Sequence, residues 1–270
     1  MKVWVLGSGS RGNAVVVDNG RTRVLVDAGF SPRELARRLA VASVAPESIE
    51  ALVVTHEHGD HVRGASAAAA RWNWAVHATA GTVAASAGLA AADVRTFEAG
   101  ATLTFGSMTA LMVPTSHDAS DPVGVVFTDA VSGARAGIIT DLGQETARLR
   151  SLLCDLEILV LESNHDEVML AQGPYPVSVR RRIASTTGHL SNRAAGVLAR
   201  ACAHAGLQHL VLAHLSEKCN TPDHALSAAS AALARSRFRG RVSAAAQDSV
   251  RGAFVAAGRG GRSVQLALGL

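Results

Sequence analysis

Residues Thr55-His56-Glu57-His58-Gly59-Asp60-His61 place three imidazoles and the Asp60 carboxylate within one short segment, directly after the apolar run Ala51–Val54. Imidazole and carboxylate are the ligand set of zinc and similar divalent ions. Four such groups crowd a single metal unless they divide between two. The segment therefore suggests a dinuclear site, and a dinuclear site suggests hydrolysis of an ester or phosphoester. His56 and His58 alternate in a strand-end loop, so both can point to one side. Asp60 and His61 follow at a helix start.

Further ligands should come from other strand ends, where sheet proteins place their sites. His117 follows Leu111-Met112-Val113-Pro114, Asp141 follows Gly137-Ile138-Ile139-Thr140, and His214 follows Leu210-Val211-Leu212-Ala213. His77, His204, His209 and His224 are isolated and read as structural.

The elements that must position these groups run in two rounds. Strands are expected at Val3–Leu6, Ala14–Asp18 and Arg23–Asp27, with Asp18-Asn19-Gly20 turning the last two into a hairpin. A helix capped by Ser31-Pro32 runs to Leu39. Strand Ala51–Val54, helix Val62–Arg71, strand Trp74–Val76 and helix Gly81–Ala87 follow. Residues 94–140 read as β-rich: Val94–Phe97, Thr102–Phe105, Met108–Val113, Val123–Thr128 and Ala136–Thr140. Then come helix Glu145–Leu153, strand Ile158–Leu161, helices near Val168 and over Val177–Ala184 and Asn192–His204, strand His209–Ala213, helix Pro222–Ala234, and short strands at Val242–Ala246 and Ser263–Leu268. Strand-rich then helix-rich stretches, twice over and without a linker, fit an α/β protein with two packed sheets and helices outside. This is a four-layer αββα sandwich, in a single domain over residues 1–270.

Gly7-Ser8-Gly9-Ser10-Arg11-Gly12 matches the dinucleotide fingerprint, with Asp27 at the position of a ribose-binding acid. That reading needs a helix after the glycines. Ala14-Val15-Val16-Val17 is β-branched and ends in a turn, which excludes it. The loop can instead offer backbone N–H groups to a phosphate, or serve only as a tight inter-strand turn.

The chain has 270 residues and a net charge of +4. The charge is uneven, −6 over residues 1–170 and +10 over 171–270, and a basic C-terminal third beside acidic ligands suits an anionic substrate. Arg180-Arg181-Arg182 and Arg193 flank His189 and could hold backbone phosphates. Tyr175 is the sole tyrosine, which disfavours extensive base stacking. Cys154, Cys202 and Cys219 form no CxxC pair, which fits a reducing cytoplasm. Cys219 lies near His214, but lone cysteines are mostly inert. No apolar run is long enough to cross a bilayer, and the N-terminal segment is too soon broken by Gly and Ser to be a signal peptide.

Residues 56–61 resemble the H-x-H-x-D-H signature of the metallo-β-lactamase superfamily, and His117, Asp141 and His214 fall in order where its later ligands stand. The resemblance implies that one metal takes His56, His58 and His117, that a second takes Asp60, His61 and His214, and that Asp141 bridges them. Asp27 matches an orienting acid. The redox branch carries Glu where this chain has His58, so hydrolysis is implied. Glu162-Ser163-Asn164-His165 and Gly188-His189-Leu190-Ser191-Asn192 are similar to motifs of the tRNA 3′-processing ribonuclease branch, in which a histidine supported by a glutamate protonates the leaving oxygen. The equivalents are His189 and Glu162.

The YycJ/WalJ-like group is closer still. Its members are similar to this chain in Ser8-Gly9-Ser10-Arg11-Gly12-Asn13, Ser116-His117-Asp118-Ala119, Pro122-Val123-Gly124, Glu162-Ser163-Asn164-His165-Asp166, Gly173-Pro174-Tyr175-Pro176, Gly188-His189-Leu190-Ser191-Asn192 and His214-Leu215-Ser216-Glu217. Lys218-Cys219 departs from the pattern. The resemblance implies a 5′-to-3′ DNA exonuclease with a link to mismatch repair, using two divalent ions: zinc or manganese, with iron as a further option. Asp60 would serve both as ligand and in catalysis, with Ser10, Asn13, Arg180, Asn192 and Arg193 on the substrate's phosphates. The alternatives are a small-molecule (cyclic) phosphodiesterase, an RNA-processing nuclease of the same fold, or a non-catalytic binding module, which the intact ligand set disfavours. The chain lacks the large insertion of the RNA-processing β-CASP branch.

Overall fold

The structure is a computed structural model that describes residues 1–256. The first sheet contains β1 (Lys2–Gly7), β2 (Ala14–Asp18), β3 (Arg23–Val26), β4 (Ala51–Val53), β5 (Ala75–Thr79) and β6 (Val94–Phe97). The second contains β7 (Thr102–Phe105), β8 (Met108–Pro114), β9 (Val123–Asp129), β10 (Arg135–Ile139), β11 (Ile158–Glu162), β12 (His209–Ala213) and β13 (Arg241–Ala244), and β14 (Arg251–Val255) returns to the first. Among the described residues the orders are β14-β1-β2-β3-β4-β5-β6 and β13-β12-β11-β10-β9-β8-β7. Strands β3 to β6 run parallel, as do β10 to β13. The remaining pairs are antiparallel.

The helices are α1 (Pro32–Val41), α2 (Gly59–Val62), α3 (Ala65–Trp72), α4 (Ala80–Ala85), α5 (Ala87–Ala90), α6 (Ala147–Leu153), α7 (Glu167–Gln172), α8 (Val177–Ile183), α9 (Asn192–Cys202) and α10 (Pro222–Leu233). Ser31, Ser191 and Thr221 cap α1, α9 and α10, each hydroxyl accepting from an N–H three residues on.

Side-chain alternation along the strands divides the apolar residues into three layers. Val15, Val17, Val24 and Val26 meet Met112, Val125, Phe127, Ile138 and Val160 between the sheets. Val16, Leu25 and Leu52 pack outward on Leu35, Leu39 and Ala68 of α1 and α3. Ile139, Leu159, Leu161 and Leu212 pack outward on Leu149, Leu198 and Ala229 of α6, α9 and α10. These layers make the αββα sandwich expected from the sequence.

Two differences have physical causes. The helix expected over Val62–Arg71 is two helices, because Gly64 donates its N–H to Ala28 and a Cβ there would lie 1.8 Å from the Phe30 carbonyl oxygen. β14 was not foreseen: it is an edge strand whose residues are mostly exposed, so it carries little apolar signal. The strand expected at Ser263–Leu268 lies outside the described residues. The glycine loop joins two antiparallel strands, β1 and β2, as the β-branched run after it requires.

Candidate metal centre and active site

All the chemistry-bearing side chains lie at one end of the two sheets, at or beyond the carboxyl ends of β3, β4, β8, β10, β11 and β12. Asp27, Asp141 and His214 each take a left-handed backbone conformation as their strand ends, with φ of 62°, 56° and 54°. Such a conformation costs a non-glycine residue roughly 1–2 kcal/mol, and here it turns each side chain out of the ladder into the site. The 56–61 loop is held from beneath: Asp60 O accepts from Asn13 N–H and His61 O from Ala28 N–H. Gly29 is required there because a Cβ would fall 1.7 Å from Asp60 O.

The imidazoles form two groups. His58 Nδ1 lies 3.1 Å from His56 Nε2 and 3.2 Å from His117 Nε2. Asp60 Oδ2 lies 3.3 Å from His214 Nε2 and 3.6 Å from His61 Nε2. Asp141 stands between them, Oδ2 3.0 Å from His61 Nε2 and Oδ1 3.7 Å from His117 Nε2. Ligands about 2.0–2.1 Å from a tetrahedral ion are separated by about 3.3 Å, so both triads have the edge length of a coordination shell. Buried Asp141 Oδ2 has no hydrogen-bond donor, which an adjacent cation would resolve. These His and Asp clusters are suited to divalent metal.

The outer partners fix which nitrogen faces the centre. His61 Nδ1 bonds Asp27 Oδ2 at 2.7 Å, His117 Nδ1 bonds Gly188 O at 3.0 Å, and His214 Nδ1 bonds Glu162 Oε1 at 3.0 Å. Each holds a proton on Nδ1, so Nε2 is the nitrogen a metal would take, displacing any proton there. Burial alone would depress His61 and His214. The Asp141 carboxylate, with Asp27 for the first and Asp60 and Glu162 for the second, outweighs burial and raises them, His214 to about 10. Burial depresses His56 and His117, where no carboxylate compensates enough.

His189 stands beside the ligands. Its Nδ1 bonds Glu162 Oε1 at 2.8 Å, which turns Nε2 away from the carboxylate. Gly188 brings it there, since a Cβ at that position would strike the Arg182 carbonyl at 2.2 Å. Burial opposes protonation of His189, but Glu162, by charge and hydrogen bond, and Asp141 raise its pKa above the ordinary imidazole value. Burial likewise opposes ionisation of Glu162, yet His189 and His214 lower it to about 2. An open pocket of about 320 Å³ is lined by Ser10, His58, Gly59, Asp60, Asp141, Arg182, His189 and His214.

The chain belongs to the metallo-β-lactamase superfamily. Residues 22–215 match the family described as beta-lactamase superfamily domain, a family of metal-dependent hydrolases. Exodeoxyribonuclease YycJ of Bacillus anthracis is 32% identical over 239 residues, covering 87% of this chain and 89% of that protein. Exodeoxyribonuclease WalJ of Streptococcus pneumoniae (strain D39) is 30% identical over 226 residues, covering 81% and 83%. The crystal structure of the metallo-β-lactamase fold protein YhfI from Bacillus subtilis superposes with a TM-score of 0.69 at 18% identity, covering 93% and 98%.

Within this superfamily site, the expected phosphate contacts divide. Ser10 lines the pocket. Asn13 is buried and bonded to Gly9, Asp60 and His61, and Asn192 forms a reciprocal amide pair with Asn220. Both therefore position backbone and ligands, and neither reaches the pocket. Arg193 pairs with Glu167 on the surface. Arg180 lines a different cleft, because Arg180 and Arg182 are two residues apart on α8 and face opposite ways. Arg182, paired with Asp118, is the arginine at the metal pocket. The sequence reading also passed over Thr55, whose Oγ1 donates to Asp27 and touches His56 Nδ1, and Ser8, whose Oγ accepts from His214 N–H. Thr55 heads the signature segment and was the legible one of the two. Cys219 is buried, burial raises its pKa, and it stands outside the ligand clusters. It is not placed to act as a nucleophile. Among the described residues no helix is long and apolar enough to cross a membrane.

Proposed function

We propose that the chain is a dinuclear metal-dependent phosphodiesterase acting on DNA as a 5′-to-3′ exonuclease. The observation that carries this reading is the His189–Glu162 pair beside two complete ligand triads. The likeness to two exodeoxyribonucleases over four fifths of the chain or more supports DNA as substrate. His56, His58 and His117 would hold one ion, Asp60, His61 and His214 the other, and Asp141 both, with zinc, manganese or iron meeting the donor chemistry. When bound, two such ions polarise a phosphoryl oxygen and make water a nucleophile at neutral pH. Asp27 orients His61. Glu162 holds the His189 proton on Nδ1 and balances a second on Nε2, from which His189 protonates the departing 3′ oxygen as the P–O bond breaks. Arg182 at the mouth neutralises phosphate charge. Mismatch repair is the implied setting, in the cytoplasm.

The test is digestion of 5′- and 3′-labelled DNA, single- and double-stranded, beside RNA of the same sequence and a cyclic dinucleotide, with each metal restored in turn after chelation. Metal-dependent release of nucleotides from the 5′ end of DNA is expected. No metal-dependent release from DNA, or faster turnover of RNA or the cyclic substrate, would overturn the reading.

A further inference from the structure

A second cleft of about 320 Å³ opens between α7 and α8, away from the metal pocket. Its walls are Leu170, Val177 and Ala184, and its lining includes Arg180, Arg181, His165 and Glu167, whose carboxylate is already paired with Arg193. His165 is only 3% exposed, and its Nδ1 has no hydrogen-bond partner. Arg180 donates through Nη1 to Ala171 O, but its Nε is buried and unpartnered as well. Buried polar atoms in native folds are nearly always satisfied, so each such orphan asks for a ligand or a water. Val177 leaves 52% of its surface open. Apolar walls, a cationic side and a buried imidazole nitrogen together suit a flat, weakly polar ring joined to an anion.

α8 links this cleft to the centre. Arg182 lines the metal pocket, while Arg180, roughly 200° around the helix, lines the cleft. A helix with its side chains is about 10 Å across, so a strand passing from one site to the other spans a few nucleotides.

We propose that this cleft holds one nucleotide of the strand being cut, a few steps from the scissile phosphate. The base lies on Leu170, Val177 and Ala184, His165 Nδ1 hydrogen-bonds its edge, and Arg180 and Arg181 take its phosphate. Aliphatic walls in place of aromatic ones give affinity with little base preference. The proposal rests on the nuclease reading and deepens it by giving the enzyme a minimum substrate length.

Two measurements test it. Zinc-loaded protein is titrated with thymidine 5′-monophosphate while backbone amide NMR shifts are followed. Separately, kcat/KM on DNA is compared with kcat/KM on bis(p-nitrophenyl) phosphate, which is too small to reach the cleft. Saturable shifts at Leu170 and Val177 are expected, and Ala184→Trp, which fills the cleft, should abolish them. The same change should lower the DNA-to-diester ratio by about tenfold or more, mainly through KM. If Ala184→Trp does not fold, Val177→Glu at the exposed rim sets a like charge against the phosphate and should act alike. Shifts confined to the metal pocket, or an unchanged ratio in a folded variant, would overturn the cleft. Absence of DNA hydrolysis by the unaltered protein would sink the nuclease reading alone, and the shift map would still decide the cleft.

Discussion

Replacing Glu162 by Gln tests how one carboxylate holds the site together. Glu162 is fully buried at the end of β11 and accepts four hydrogen bonds. Oε2 takes the N–H groups of Leu142 at 2.9 Å and Leu190 at 3.0 Å, and Oε1 takes Nδ1 of His189 at 2.8 Å and of His214 at 3.0 Å. A glutamine fits the same space but has one acceptor oxygen. With that oxygen toward the backbone, its NH₂ faces two imidazole N–H groups. Each ring relieves the clash only by moving its proton from Nδ1 to Nε2. For His214 that removes the lone pair 3.3 Å from Asp60 Oδ2. At His189 the substitution itself also removes the negative charge that balances an imidazolium. With the amide reversed, two backbone N–H groups lose their acceptor, at about 1–3 kcal/mol each. Loss of such an outer partner lowers metal affinity about 10–100-fold, and loss of a general acid lowers kcat about 10²–10⁴-fold. Competition with a chromophoric chelator gives the first quantity and single-turnover hydrolysis of labelled DNA the second, with thermal melting as a check on folding. A folded Glu162→Gln protein with native metal affinity and kcat within about threefold of the parent would refute the reasoning, since an amide would then serve both histidines as well as a carboxylate.

Other outcomes follow from the same geometry. Asp27→Asn keeps a residue tolerant of the left-handed conformation and removes the charge on His61 Nδ1; metal affinity, read by chelator competition, should fall about 10–100-fold with little change in melting temperature. Arg182→Ala should raise KM for DNA more than it lowers kcat and should flatten the salt dependence of KM by about one counterion. Glu34 is lowered from 4.5 to about 2 by its hydrogen bond from Arg37, against partial burial and together with Arg38. Its folded pKa is depressed, so its contribution is full above pH 4.5 and fades as pH falls toward 2. Urea unfolding should show the parent more stable than Glu34→Gln at pH 6, with the difference shrinking at pH 3; a constant difference would refute an ionic origin.

What the sequence disclosed followed from local periodicity and composition. Val15-Val16-Val17 announced a strand because alternating faces of one run had to be buried in two different layers. His117, Asp141 and His214 were legible because each ends an apolar run, and strand ends converge in this topology. Asn13 and Asn192 were misplaced for the opposite reason. A polar residue beside a motif looks the same in sequence whether it faces substrate or supports a loop, and only packing shows that their amides are consumed within the protein. Arg180 and Arg182 looked equivalent until the helix phase separated them. The cleft bordered by His165 had no sequence signal, because it is made by the approach of two helices.

The left-handed backbone at Asp27, Asp141 and His214 bears on how this protein can be improved or can drift. Glycine at 141, where the buried Oδ2 has no donor, would relieve the conformational cost of the side chain, roughly 1 kcal/mol, whereas at 27 and 214 it would also unpair buried groups. A screen that rewards melting temperature of the metal-free protein would thus be drawn to position 141 and would return robust, inert variants. Selection for stability and selection for chemistry pull against each other there. Engineers should hold 27, 141 and 214 fixed and look for tolerance in the outer faces of the helices.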